Sequence, residues 1–286
     1  NNNYQLIGKL LDFSKFLNDI LKNDNDKSFL NNFQNLNSVI NIKIDKVYLD
    51  DKNYLVHFNG KINIQKNEIS NAILKSHFQN GDLFNFSVKL LDDKKITTLY
   101  TDNAEPFVKK FDFIKGFENG VLDFESIKKN NTSKSVLKID NFKVKEVPVL
   151  AQLLTLASLQ GIADSLTGEG IRFTDFEMIF SNKDKLMKID EIYAIGPAIS
   201  IMMSGYIQSK ELVSLRGTLV PARTINRTIA SIPVLGDILV GKKVGEGVFG
   251  VSFKIKGPPK DLKTTVNPIK TLTPRFITRT LEKIKK

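Results

Sequence analysis

The 286-residue chain has no cysteine, no tryptophan and only two histidines. Without thiols there is neither a disulfide framework nor a thiolate metal site. His57, in YLVHFNG, and His77, in KSHFQNG, cannot build a zinc site without several carboxylates. Each is read as an ordinary strand residue. Catalytic motifs are missing too: there is no G-x-S-x-G, H-E-x-x-H or P-loop. Carboxylates are scattered along polar strand positions, and no pair falls by spacing into a shared cleft. The expectation is a protein that is not an enzyme and that uses no metal and no cofactor. The chain opens NNNYQL, with no Met and nothing resembling a signal peptide. It is read as a fragment or a processed chain, with any membrane anchor upstream.

Negative charge is scarce in one region only. The net charge is +11. Residues 207–286 hold 16 basic and 5 acidic side chains, whereas residues 1–206 hold 26 of each. A basic end suits an anionic partner, either nucleic acid or an anionic membrane surface. Abundant Lys, Asn, Ile and Phe also fit an AT-rich genome, which would inflate Lys without any partner. Nucleic acid is disfavoured because the Phe residues fall on the apolar parity, opposite the lysines, and make no stacking platform.

The dominant period is two. INIKIDKVY (40–48) puts Ile40, Ile42 and Ile44 on one face. NYLVHFNGKINIQ (53–65) continues with Tyr54, Val56, Phe58, Ile62 and Ile64. LFNFSVKLL (83–91) carries Phe84, Phe86, Val88 and Leu90; AISIMMSGYI (198–207) carries Ile199, Ile201 and Met203; VFGVSFKIKG (248–257) carries Phe249, Val251, Phe253 and Ile255. VLKIDNFKV (136–144) and IRFTDFEMIF (171–180) alternate with a slip that suits a bulge. Such alternation predicts strands with one apolar and one wet face. Asn-Gly pairs at 59–60, 80–81 and 119–120, and Asp-Asp-Lys at 50–52 and 92–94, predict the turns of antiparallel meanders.

Helices are expected near 12–21, 104–114, 148–165, 221–240 and 274–284. Pro106 sits in the first turn of the second. The third lies in a run without charge from Val147 to Ala163, close to a membrane span in length. Gln152, Thr155, Ser158, Gln160 and Gly161 interrupt it, so a buried or groove-covering helix is favoured over a membrane span or an interfacial helix. The fifth carries Ile277, Leu281 and Ile284 as an apolar stripe and Arg275, Arg279 and Lys283 among its cations. Such a helix either lies on an anionic membrane or packs on its own domain. With no Pro- or Ser-rich linker, residues 1–286 are expected to form a single elongated region.

GEGVFG (245–250) matches G-x-G-x-x-G, but an alternating strand pattern follows it where a dinucleotide loop needs a helix. Its glycines fit a tight loop and strand entry instead. NDNDK (23–27) resembles a calcium loop without the required Gly and Glu.

The C-terminal stretch GTLVPA, INRTIASIPVLGDILVG, GEGVFGVSFKIKGPPKDLKTTVNPIKTLTPRF resembles the C-terminal region of the AsmA-like family, in its YhdP-type branch. The matching positions are Gly217, Pro221, Asn226, Ile232, Pro233, Leu235, Gly236, Gly241, Gly245, Glu246, Gly247, Phe249, Gly257, Pro258, Val266, Asn267 and Pro268. Residues 101–125 and 147–180 also resemble that family's units. The chain departs from the pattern at Asp261-Leu262, where the family has Asp-Pro, and its ILVGKKVGEG loop is more basic. The resemblance spans about residues 95–286 and implies a periplasmic protein of a diderm bacterium, anchored at the inner membrane by an N-terminal helix outside this chain. It implies a curved β-sheet with an apolar groove and a part in moving phospholipid to the outer membrane, without catalytic residues.

The fold class expected is therefore a β-rich α+β chain. Its twisted, mostly antiparallel sheet forms an elongated apolar groove, with a few covering helices. A sheet with one apolar face must cover it, with a helix, a second sheet or a lipid tail. The lipid-groove candidates are Phe84, Phe86, Val88, Ile199, Ile201, Met203, Phe249, Val251, Phe253 and Ile255. Arg275, Arg279 and Lys283 are the candidates for an anionic headgroup or a partner. The partners expected are phospholipid and membrane. The rival expectation is a scaffold that assists outer-membrane proteins by strand addition.

Overall fold

The computed structural model describes residues 2–13, 37–109, 116–208, 211–221, 250–259 and 261–269. The strands are β1 (Asn2–Asp12), β2 (Ser38–Tyr48), β3 (Tyr54–Gln65), β4 (Glu68–Phe78), β5 (Leu83–Leu91), β6 (Lys94–Thr101), β7 (Gly116–Lys129), β8 (Thr132–Lys145), β9 (Ile171–Lys183), β10 (Leu186–Ile195), β11 (Ile199–Gln208), β12 (Leu212–Pro221), β13 (Gly250–Gly257) and β14 (Lys263–Ile269). The helices are α1 (Glu105–Val108), α2 (Pro148–Leu156) and α3 (Gln160–Thr167). The fold is thus β-rich, with mostly antiparallel strands and few helices, as expected. β1 instead pairs parallel with β2.

Two compact units divide the chain, residues 1–112 with 117–139 and residues 113–116 with 140–286. In the first the hydrogen-bonded order is β1 through β8, and in the second β8 through β14, always in chain order. The division falls inside β8 next to Asn141, which has φ +56. Ile139 and Phe142 are both buried, so the strand's period slips by one at that residue, and the slip expected in 136–144 is a bulge.

A second slip had no signal in the sequence. His57 has φ +52, and the β3–β4 register shifts between Val56 and Asn59. Leu55 and Phe58 are therefore the buried pair, while Tyr54 and Val56 are only half-buried. The expected continuous face Tyr54, Val56, Phe58 is corrected accordingly.

Three expected turns are turns. Asp50 Oδ1 accepts the Lys52 and Asn53 amides at 2.8 and 2.7 Å between β2 and β3. Gly81 (φ +94) turns β4 into β5, and Asp92 and Asp93 (φ +47 and +62) join β5 to β6 with the left-handed pair that matches strand twist. The Asn-Gly pairs at 59–60 and 119–120 are not turns but lie inside β3 and β7. A Cβ on Gly60 would stand 2.3 Å from the Ile73 carbonyl oxygen and 2.5 Å from Leu74 Cδ2, so this glycine permits close strand packing.

The helix expected over 148–165 is two helices. Ser158 has φ +59, and the Leu159 amide donates to the Leu154 carbonyl at 2.9 Å, which ends α2 before α3 begins. Among the described residues no helix is long and apolar enough to cross a membrane. Of the helix expected near 104–114, α1 covers Glu105–Val108 with Pro106 in its first turn. At 12–21, Asp12 ends β1 instead, and residues 14–21 lie outside the described residues. Apart from Pro221, which closes β12, the helices expected at 221–240 and 274–284 also lie outside them.

Candidate functional site

In the first unit the apolar parity of each strand aligns into rows across the sheet. Phe84 faces Ser76 and Thr101, and Thr101 faces Leu122. The next row runs Ile42, Gly60, Leu74, Phe86, Leu99, Phe124. The third runs Ile40, Ile62, Ala72, Val88, Thr97, Ser126. The candidates Phe84, Phe86 and Val88 thus share one face. Phe84 and Val88 are buried, while Phe86, Leu99 and Phe124 are half-buried and reach solvent along their row.

Helix α1 closes one end of this face. Phe107 stacks on Phe84 with ring centroids 5.8 Å apart and 11° between planes, and Phe84 lies 6.2 Å from Phe58. Pro106, Phe107 and Val108 are all buried. The opposite strand ends carry the β3–β4, β5–β6 and β7–β8 hairpins and an open concavity of about 680 Å³. Its lining is mainly polar, with Lys66, Lys95 and Lys128 accompanied by Glu68 and Asp93.

In the second unit the structure brings the β11 and β13 candidates together, with β12 between them. Ile201 faces Leu219, which faces Val251; Met203 faces Gly217, which faces Phe253; Gly205 faces Leu215, which faces Ile255. Ile199 pairs with Pro221 at the same end as the first of these rows. Ile199, Ile201, Val251, Phe253 and Ile255 are buried and Met203 is half-buried. Gly217 makes the central row possible, because a Cβ there would meet Met202 O at 2.3 Å, Phe253 Cζ at 2.6 Å and Met203 Cβ at 2.7 Å. The Phe253 ring occupies the room that glycine leaves. Gly217→Val should lower the unit's stability by about 1–3 kcal/mol through overpacking. A chemical-denaturation midpoint unchanged from wild type would contradict that packing.

Helices α2 and α3 pack on each other, with α2 touching β14 and α3 touching β9. Five strand spacings separate those strands, about 24 Å in a flat sheet, and two packed helices can span most of that width. Leu153, Leu154, Ala163 and Leu166 are buried. Phe142 stacks on Phe173 at 5.4 Å beneath the strand ends that lead to and from the pair.

This unit carries an open concavity of about 380 Å³, lined by the rows Met202–Thr218–Ser252–Asn267 and Ser204–Arg216–Lys254–Thr265 and also by Met203, Gly217 and Phe253 of the central row. Glu191, 3% exposed, sits at its edge where β10 bulges. Asp190, Glu191, Arg216 and Lys254 are the charged residues of its lining.

Phe249, Arg275, Arg279 and Lys283 lie outside the described residues. His57 and His77 are strand residues of β3 and β4, as expected, with rings 5.4 Å apart. Among the described residues no group of three or more His, Asp or Glu is placed to hold a metal. What local alternation missed was the cross-strand company of the candidates: Leu74, Leu99 and Phe124 beside Phe86, and Leu219 between Ile201 and Val251. Comparison of the chain with family models, with curated proteins and with solved structures finds no match.

Proposed function

We propose that this chain is a non-enzymatic envelope protein whose apolar sheet faces bind acyl chains and conduct phospholipid between two membranes. The observation that carries the reading is the row Ile42, Leu74, Phe86, Leu99, Phe124, a stripe of large apolar side chains of which Phe86, Leu99 and Phe124 are half-buried. Leaving an acyl chain in water costs about 0.8 kcal/mol per methylene, so such a stripe lowers the barrier to moving it. Twenty Phe and four Met supply adaptable contacts. The resemblance of residues 95–286 to the AsmA-like family supports placing the protein in the periplasm, anchored at the inner membrane. Arg275, Arg279 and Lys283 then serve anionic headgroups or a partner. A phospholipid with a photoreactive tail should label peptides containing residues 83–91 and 199–208. Labelling spread evenly over the surface, or absent from both peptides, would count against the reading.

Edge strand β1 favours a second reading, a scaffold that pairs a client strand. It exposes Leu6 (44%), Ile7 (69%) and Leu10 (61%) along a strand whose partner among the described residues is β2. Such edges template strand addition. Proline at Ile7 would then abolish capture of an outer-membrane-protein client, whereas under the lipid reading it leaves lipid binding intact.

A further inference from the structure

The apolar face of the first unit does not end as it begins. Starting from the end closed by α1, its rows across β5, β6 and β7 read Phe84–Thr101–Leu122, then Phe86–Leu99–Phe124, then Val88–Thr97–Ser126, and last Leu90–Lys95–Lys128. The side chains change from aromatic and aliphatic, through small hydroxyls, to two lysines side by side. Lys95 and Lys128 sit on the apolar parity, where a strand ordinarily carries no charge. Both line the 680 Å³ concavity at the hairpin end, with Lys66 from the β3–β4 turn.

From this gradient we propose that the first unit holds one anionic phospholipid, with its tails along the Phe84-to-Val88 rows and its phosphate between Lys95 and Lys128. The proposal rests on the lipid-binding reading above and adds the charge of the lipid and the direction in which it lies. Length agrees with this occupant. Six residues separate Phe84 from Leu90, about 20 Å of strand, and half the hydrocarbon core of a bilayer is about 15 Å deep. Charge agrees as well. Lys95 is half-buried, and its amine is held below the ordinary lysine range by desolvation; the Glu68 carboxylate opposes that shift, and the neighbouring Lys128 charge adds a smaller lowering. A phosphate oxygen between the two amines would relieve both effects. Glu68 and Asp93 on the rim leave the site with one net positive charge, which suits a head with one net negative charge.

The test uses the full chain, incubated with vesicles containing equal amounts of phosphatidylglycerol and phosphatidylcholine of identical tails. The chain is then separated from the vesicles, and the lipid it carries is identified by native mass spectrometry. The expected result is at least a tenfold preference for phosphatidylglycerol, falling to about one in Lys95→Met/Lys128→Met. Methionine preserves the stem and removes a half-buried charge, so the variant should melt at or above the wild-type temperature at pH 7. That advantage should shrink as pH approaches the ordinary lysine pKa of about 10.4, where the wild-type amine sheds its proton. A preference that survives in the double variant overturns the assignment, as does a wild-type chain without preference. A double variant that loses both lipids alike also overturns it, because the lysines would then not act on head charge. Glycerol 3-phosphate forms the separate arm. Binding that depends on the two lysines, in a chain that takes up neither lipid, would mark a soluble-phosphate site. Uptake of neither lipid and no binding of glycerol 3-phosphate would sink the lipid reading together with the proposal.

Discussion

Phe86→Asp should reduce the phospholipid bound to the first unit at least tenfold while leaving the unit folded. The side chain is half-buried at the centre of its row, flanked by Leu74 on β4 and Leu99 on β6. Its outer edge already meets solvent, so an aspartate can hydrate there without an unpaired buried charge. A tail lying along the row meets that charge at close range and loses its dry contact. The same substitution at Ile201 is a poorer probe. Ile201 is 6% exposed between Ala194 and Leu219, and a carboxylate there would unfold the second unit. The check pairs lipid quantification with near-ultraviolet circular dichroism, since lost lipid is informative only where the spectrum is retained. Undiminished lipid in a folded Phe86→Asp chain would place the tails elsewhere.

Phe107→Ala should be the most destabilising single truncation in the first unit, at about 3–5 kcal/mol. Helix α1 has only four residues and cannot persist by its own hydrogen bonds. It is held by burial of Pro106, Phe107 and Val108 and by the stack of Phe107 on Phe84. Removing the ring opens a cavity against Phe84 and frees the end of the face that α1 closes. Because the chain forms two compact units, its melting is read as two transitions rather than one. Calorimetry should show one transition lowered by several degrees and the other unmoved. A single unshifted transition would mean that α1 contributes little to closing the face.

Much of the β architecture was legible because alternation is a local signal. β11 and β13 each declare an apolar parity in their own residues, and the structure keeps every described candidate on that parity. The neighbours of a candidate are not local. Nothing in LFNFSVKLL specifies that Leu99 and Phe124 extend the row of Phe86, since that depends on turn lengths and register. The slip at Asn141 was legible, because the apolar parity of VLKIDNFKV changes within the strand itself; the slip at His57 escaped, because it rests on one histidine at positive φ inside an unbroken alternation. Asn-Gly at 59–60 misled because a strong turn signal was overridden by strand pairing, with Gly60 needed for close approach to Leu74; at 119–120 the pair does take the left-handed backbone it favours (φ +62 and +95), but within β7 rather than between strands. The lysines of the last row were hidden because Lys95, in DDKKITTLY, belongs to an ordinary-looking basic turn. Only the register with Leu90 and Lys128 shows that it ends an apolar face.

The central claim, that acyl chains occupy the apolar faces, is tested most directly by native mass spectrometry with lipid identification on the chain purified from a bacterial envelope. The account predicts a folded chain that carries phospholipid and loses most of it with Phe86→Asp. A folded chain that emerges free of lipid, and takes none up from vesicles, would contradict the account and make these faces an ordinary core.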